Sequence, residues 1–424
     1  MEKASHFQLL HYLLLLLLLL LLTLGLSAAV ASPAPFGVNY GQIANNLPPP
    51  NRAVSLVKSL GSTSIKLYDA NPLVLCAFAN SGVSVTVGLG NEHLPSMLDP
   101  NSALSWVKTN VQQFLPDAKI VAIAMGNEAL TNSTLTMPSS PPVNLRRVLL
   151  PAMQNVHQAL VGLALDKQII VTTPHSLAVL ESSYPPSTGR FKKELASEMK
   201  DVVDFLCNTG APFLVNAYPF IAYKTDPKQV PLEFVLFEYE QGIVDPKTNL
   251  KYDNMLFAQI DAVRSALTAI GYGNMSVHVS ETGWPSKGDE DEPGASKSNA
   301  RKYVENLMQV VGRKKGTPLK PDDIVNVHVF ALFNENLKVG PTSERYYGIF
   351  KPDGTPSYDL SVLNHRNNTS TSSGGAGIGG GGVYGSSNYS GFPMTPPIGY
   401  LSFSASMVSN SWLVAAMVVI SLAM

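Results

Sequence analysis

The sequence predicts an α/β fold, a single (β/α)8 TIM barrel. Short apolar, β-rich runs alternate with longer amphipathic stretches between Phe36 and Leu360, the pattern that parallel βα units leave in a chain. The short runs number eight, and eight such units close a ring that takes roughly 250 residues or more. At 424 residues the chain has room for one ring or for two average domains, and the regular spacing of the units favours the ring.

The first strand is expected at 36–40 (FGVNY), the second at 64–68 (SIKLY), the third at 84–88 (SVTVG) and the fourth at 120–125 (IVAIAM). The remaining four follow at 169–173 (IIVTT), 213–217 (FLVNA), 276–280 (SVHVS) and 325–332 (VNVHVFAL). Helical spacing and fair start signals are clearest at 101–114, 143–165, 254–270 and 295–311.

Outside the barrel domain, placed at 32–364, both ends read as targeting segments. Residues 1–31 resemble a secretory signal peptide: Lys3 precedes ten leucines from Leu13 to Leu22, and Ala29-Val30-Ala31 is a small-residue cleavage pattern. The alternative is an uncleaved signal anchor. Residues 365–404, rich in Ser and Gly, are expected to be a disordered linker carrying the attachment region of a GPI anchor. Residues 405–424 end in a thirteen-residue apolar tail from Trp412 with no Lys or Arg after it. That is shorter than the roughly 17 to 25 residues of a spanning helix, so a removable GPI signal is expected, with a tilted helix from Ala405 as the alternative. Outer-leaflet anchoring at the plasma membrane follows from that reading.

A formal net charge of −1 and 14% charged residues argue against a nucleic-acid surface and for a neutral substrate. Cys76 and Cys207 are the only cysteines and make no disulfide framework; buried free thiols are expected. Asn132, Asn274, Asn367, Asn368 and Asn388 head glycosylation sequons. The eight histidines form no metal-like constellation, so no metal or cofactor is expected, and His278 and His328 read as core residues. The acidic run from Asp289 to Glu292 reads as a solvated loop.

Catalytic residues of such barrels lie just after the strands. Tyr40, Tyr68, Asn127, Glu128, Tyr218, Glu281, Trp284 and Glu335 all fall there. Glu128 and Glu281 close the fourth and seventh strands, three positions apart around the ring, so their side chains can meet across the mouth. Burial and mutual repulsion split such a pair into one protonated acid and one ionised nucleophile, the division that glycosidic bonds require. Three Asn-Glu dipeptides, at Glu92, Glu128 and Glu335, follow strands. Glu92 can instead cap the next helix, and spacing alone does not decide which is the proton donor.

Met125-Gly-Asn-Glu128, Ser280-Glu-Thr-Gly-Trp-Pro285 and Phe333-Asn-Glu-Asn336, followed by Lys338 and Glu344, resemble the plant members of glycoside hydrolase family 17, the endo-1,3-β-glucanases. Phe36-Gly-Val-Asn-Tyr-Gly41, Ile65-Lys-Leu-Tyr-Asp69 and Asn216-Ala-Tyr-Pro-Phe220 extend the resemblance over 36–360. It implies Glu128 as acid/base and Glu281 as nucleophile of a retaining hydrolase that cuts internal β-1,3 links in glucans such as callose. Asn127 is then expected on the sugar's 2-hydroxyl and Tyr218 on Glu281. Tyr68 and Trp284 offer faces to sugar rings, and Glu335, Lys338 and Glu344 form a supporting charged cluster. A monomer acting in the cell wall is expected, without the cysteine-rich carbohydrate-binding module that many plant members append. The alternatives are a mixed-linkage glucanase or transglucosylase on the same site, and a silent glucan-binding surface protein.

Overall fold

Eight strand positions close one ring of parallel strands in a computed structural model that describes residues 36–136 and 141–360. The first four positions are Phe36–Asn39, Ser64–Lys66, Ser84–Leu89 and Ile120–Met125. The fifth is split into Ile170–Thr172 and Pro174–Ser176, and Phe213–Asn216, Val277–Thr282 and Val327–Val329 complete the ring. The first strand pairs with the eighth, Phe36 opposite Val327. Closure on the far side runs through the split position: Ile170–Thr172 pairs with the fourth strand and Pro174–Ser176 with the sixth. Pro174 has no N–H to give a ladder, which accounts for the interruption inside the expected strand.

The strand positions are those the runs predict because both faces of each strand are covered, and doubly covered strands are apolar along their length. Val38, Ile65, Val85, Val87 and Ile123 are wholly buried. The eighth strand is shorter than expected, yet Phe330 N–H still donates to Thr282 at 2.7 Å and Leu332 N–H to Asn39 at 2.8 Å. Helices Pro100–Asn110, Leu145–Gly162, Met255–Ala269 and Lys297–Gly312 match the four expected ones. Asp99, Asn144, Asn254 and Ser296 cap their first turns through side-chain oxygens, each cap satisfying amides the helix leaves unpaired. The first of these helices stops at Asn110, and 3-10 turn Gln112–Phe114 takes up the rest of its expected span.

Two expectations need correction. Cys76 and Cys207 are free thiols, but exposed ones. Helix Pro72–Phe78 buries Val74, Leu75 and Phe78, and helix Ala196–Thr209 buries Met199, Val202, Val203, Phe205 and Leu206, so both cysteines fall on the solvent side. The second correction concerns the acidic run. Glu292 is buried, 4% exposed, because loops from three strand positions converge on its carboxylate. The signal at 1–31, the linker at 365–404 with Asn367, Asn368 and Asn388, and the tail at 405–424 lie outside the described residues. Among the described residues no helix is long and apolar enough to cross a membrane, and no three His, Cys, Asp or Glu side chains cluster as metal ligands.

Candidate active site

At the end of the fourth strand the chain turns sharply through Gly126 (φ 64°) and Glu128 (φ 55°), both left-handed. A Cβ on Gly126 would also lie 2.5 Å from Asn91 Oδ1, so glycine is required there twice over. For Glu128 the conformation is strained, of order 1 to 3 kcal/mol, and persists only where neighbours hold it. They do: its N–H donates to the Pro174 carbonyl at 2.9 Å, and its own carbonyl accepts from Asn132 N at 2.9 Å and Thr131 Oγ1 at 3.0 Å. Asn91 braces the same turn, accepting from Asn127 N at 2.9 Å and donating to Asn127 O at 3.0 Å. The first Asn-Glu dipeptide thus scaffolds the second, while Glu92 rides half-exposed in the 3-10 turn Asn91–Leu98, 3.6 Å from His93.

Glu281 ends the seventh strand and is buried. Its Oε1 accepts from Lys66 Nζ at 2.7 Å and its Oε2 from the Tyr218 hydroxyl at 2.9 Å. Asn216, opposite Glu281 in the ladder, donates from Nδ2 to Glu128 Oε1 at 2.9 Å and to Asn127 Oδ1 at 3.3 Å. Its Oδ1 accepts from Ser280 Oγ at 2.5 Å, and the Ser280 carbonyl accepts from Asn39 Nδ2 at 3.0 Å. A buried polar chain therefore runs from the first strand through the seventh and sixth to the carboxyl of Glu128. Each member is hydrogen-bonded to the next, which fixes the rotamers, although Asn39 Oδ1 is buried without a partner.

The two glutamates are held in opposite protonation states. Burial, and then the negative charge of Glu281, push the Glu128 carboxyl up to about 7, against the partial relief of the Asn216 hydrogen bond and the Lys66 charge. Burial also pushes Glu281 up, but the charge and hydrogen bond of Lys66, with smaller help from Tyr68 and Lys338, bring it below the ordinary carboxylate range. Up to about pH 7 the site holds one protonated carboxyl and one carboxylate.

Aromatic rings wall this pair. Tyr68 stands edge-on to Phe330 at 6.3 Å beneath the Lys66 ammonium, 4.5 Å from the ring, and its buried hydroxyl faces Glu281 without a well-formed hydrogen bond. Tyr218 packs against Phe330 at 6.2 Å and Tyr347 at 5.7 Å. Glu335 is buried, accepting from Ile43 N at 2.8 Å, and a Cβ on Gly41 would lie 2.4 Å from its Oε1. Burial holds its carboxyl above the usual range. Lys338 stands 3.9 Å from Glu335, 3.8 Å from Glu344 and 4.1 Å over the Phe330 ring.

The structure thus brings Tyr68, Asn127, Glu128, Tyr218, Glu281, Glu335, Lys338 and Glu344 to one end of the barrel. Trp284 is the exception among residues expected to meet a sugar. It is 1% exposed, its Nε1 donates to the Gly294 carbonyl at 2.8 Å, and it packs edge-on with Phe220 at 5.1 Å and tilted against Tyr303 at 5.6 Å. Of the sequons, Asn132 is half-buried one turn after Glu128, and Asn274 is exposed just before the seventh strand. Lys66, which holds Glu281 ionised, and Asn216, which hydrogen-bonds Glu128, were absent from the candidates. The signal for Lys66 was there, since a lysine inside the apolar run SIKL can be buried only against a counter-charge.

Against known proteins, the family profile "Glycosyl hydrolases family 17" matches residues 36–362. Glucan endo-1,3-beta-glucosidase 11 of Arabidopsis thaliana is 56% identical over 328 residues, 76% of this chain and 75% of the relative. Glucan endo-1,3-beta-glucosidase 10 of the same plant is 53% identical over 344 residues, 80% and 78% of the two chains. Among solved structures, a beta-1,3-glucanase and allergen of Cryptomeria japonica pollen superposes with a TM-score of 0.71 at 36% identity, covering 77% of this chain and 99% of its own.

Proposed function

The chain belongs to glycosyl hydrolases family 17, and on that premise we propose that it cuts internal β-1,3-glucosidic links of glucans such as callose by a retaining mechanism. The observation that carries this reading is the opposed charge of two glutamates at one end of the barrel: Glu128, bonded to Asn216, held protonated to about 7, and Glu281 held ionised by Lys66. The names of the relatives support the linkage and the internal mode of cutting.

In the first step Glu128 gives its proton to the leaving glycosidic oxygen while Glu281 attacks the anomeric carbon, forming a glycosyl ester. Lys66 and Tyr218 lose a full carboxylate partner as the ester forms, so they orient the nucleophile more than they activate it. Glu128, now ionised, takes a proton from water, and that water releases the sugar with its β configuration restored. Asn127, held by Asn91 and Asn216, faces the 2-hydroxyl, where a hydrogen bond strengthens as the sugar becomes oxocarbenium-like. The buried Tyr68 hydroxyl, beside Glu281 and without a well-formed hydrogen bond, has capacity left for the sugar. Glu335, Lys338 and Glu344 support the cleft wall.

The leader, sequons and tail complete the proposal: a secreted, glycosylated monomer, GPI-linked at the outer face of the plasma membrane and acting in the wall. Release from intact cells by a phosphatidylinositol-specific phospholipase tests the anchor, and retention in the membrane counts against it.

Proton NMR of a linear β-1,3-glucan oligosaccharide during hydrolysis tests the mechanism. The β-anomer is expected first; initial α-anomer would mean inversion. Cleavage of mixed β-1,3/1,4-glucan with none of β-1,3-glucan would overturn the substrate.

A further inference from the structure

Glu292 belongs to the acidic run that reads as a solvated loop, yet its side chain is 2% exposed and saturated with hydrogen bonds. Oε1 accepts from Lys224 Nζ at 3.1 Å and Ser343 Oγ at 2.5 Å. Oε2 accepts from the backbone N–H of Ser343 and of Asp289, both at 3.0 Å. Lys224 lies on helix Pro219–Thr225 after the sixth strand, Asp289 on the loop after the seventh, and Ser343 on the segment after the eighth. One carboxylate therefore ties together the three loops that follow the sixth, seventh and eighth strands.

The segment it grips leads straight into the site. Glu344, the next residue after Ser343, stands 3.8 Å from Lys338. The Tyr346 carbonyl accepts from Ser286 N at 2.9 Å and Ser286 Oγ at 3.0 Å, and Asp289 Oδ2 accepts from Thr342 N at 2.8 Å. Tyr347 packs its ring on Tyr218, the residue that donates to Glu281. A surface loop needs no buried anion, and burying one is unfavourable unless it is fully paired.

We propose that Glu292 is a positioning residue for the reaction, a clamp on the 341–347 segment that sets Glu344 beside Lys338 and Tyr347 against Tyr218, and so fixes the orientation of Glu281. The inference rests on the functional reading above and deepens it. Glutamine separates the loop contacts from the charge, because its carbonyl oxygen still accepts from both backbone N–H groups and its amide can donate to Ser343 Oγ. Only the Lys224 contact is lost, and that ammonium is 23% exposed and can turn to water.

The test compares full-length Glu292→Ala and Glu292→Gln with the parent, by kcat and KM on soluble β-1,3-glucan and by amide exchange over 341–347. Glu292→Ala should lose about 10- to 100-fold in kcat, the scale of an ångström-sized misplacement, with KM within about threefold. Glu292→Gln should return to within about threefold of the parent, since the loop contacts remain. Exchange at Ser343 and Tyr346 should quicken at least about tenfold in the alanine variant alone. Parent-like kcat in folded Glu292→Ala, an equal defect in both variants, or unchanged exchange would overturn the clamp. If Glu292→Ala does not fold, Ser343→Ala, which removes only the Oγ contact, is expected to show a smaller loss of the same kind, and a parent-like kcat there counts against the proposal. A parent unable to cut the glucan would instead refute the functional reading, leaving the exchange measurement to decide the clamp.

Discussion

Replacing Asn216 by alanine removes the hydrogen bond, 2.9 Å long, that Nδ2 gives to Glu128 Oε1. That bond favours the charged form of Glu128, and with Lys66 it opposes the burial and Glu281 repulsion that otherwise raise the carboxyl. A hydrogen bond to a charged group contributes about 1.5 to 3 kcal/mol, and part of it survives on the neutral acid, so the differential effect is of order 1 kcal/mol. At 1.36 kcal/mol per pH unit, the basic limb of kcat/KM should move from about 7 toward higher pH by roughly one unit. The sign is fixed by the role: a general acid works while protonated, so raising its pKa extends activity to higher pH. Absolute kcat at pH 6 should fall, because Asn216 also bonds Asn127 and Ser280. Ser280 Oγ, left unpaired, should lower stability by about 1 to 3 kcal/mol. The assay is a kcat/KM profile from pH 4 to 9 on a soluble oligosaccharide. Asn216→Asp, which sets a second carboxylate beside Glu128, should move the limb further in the same direction. A limb that stays put or moves to lower pH in both variants would refute the assignment of Glu128 as the acid.

Three further outcomes follow from the same geometry. Lys66→Met removes the cation that holds Glu281 ionised, so the acid limb of kcat/KM should move up while the basic limb changes less; the same pH profile reads both, and an unmoved acid limb contradicts the role of Lys66. Glu128 has a folded pKa of about 7, above the 4.5 of an unperturbed glutamate, so it is destabilising as pH rises from 4.5 through 7. Glu128→Gln should therefore be more stable than the parent at pH 8, by at most about 3 kcal/mol at 1.36 kcal/mol per unit, and show little gain at pH 4; denaturant melts at both pH values check it. Trp284→Ala should cost about 3 to 5 kcal/mol of stability as a buried large-to-small change, yet leave the KM of the folded enzyme within about twofold, because the ring lies in the core rather than in the cleft. A large KM increase would place that side chain on the sugar.

The barrel was legible because a parallel strand covered on both faces writes its position as an uninterrupted apolar run, as Ile120–Met125 does. The split fifth position was harder to see: Ile170–Thr172 fits the pattern, and Pro174, which breaks the ladder, sits one residue past where the run ends. Glu128 and Glu281 stood out because each follows such a run. Their partners did not, since what Lys66 and Asn216 touch depends on ladder register between segments far apart in the chain, Asn216 opposite Glu281 and Lys66 across the barrel mouth. Trp284 and Glu292 misled for a related reason. Residue type shows in the sequence, but whether a strand-end side chain meets solvent or protein is decided by loops from other strands, here those carrying Gly294, Lys224 and Ser343. The exposed cysteines follow from helix phase, which short helices such as Pro72–Phe78 report weakly.

Trapping the glycosyl intermediate bears most directly on the division of roles between the two glutamates. A 2-deoxy-2-fluoro β-1,3-linked disaccharide with a good leaving group should inactivate the enzyme with one label per chain, and peptide mass spectrometry should place the ester on Glu281. An ester on Glu128 or Glu335, or full turnover with no burst and no label, would contradict the account.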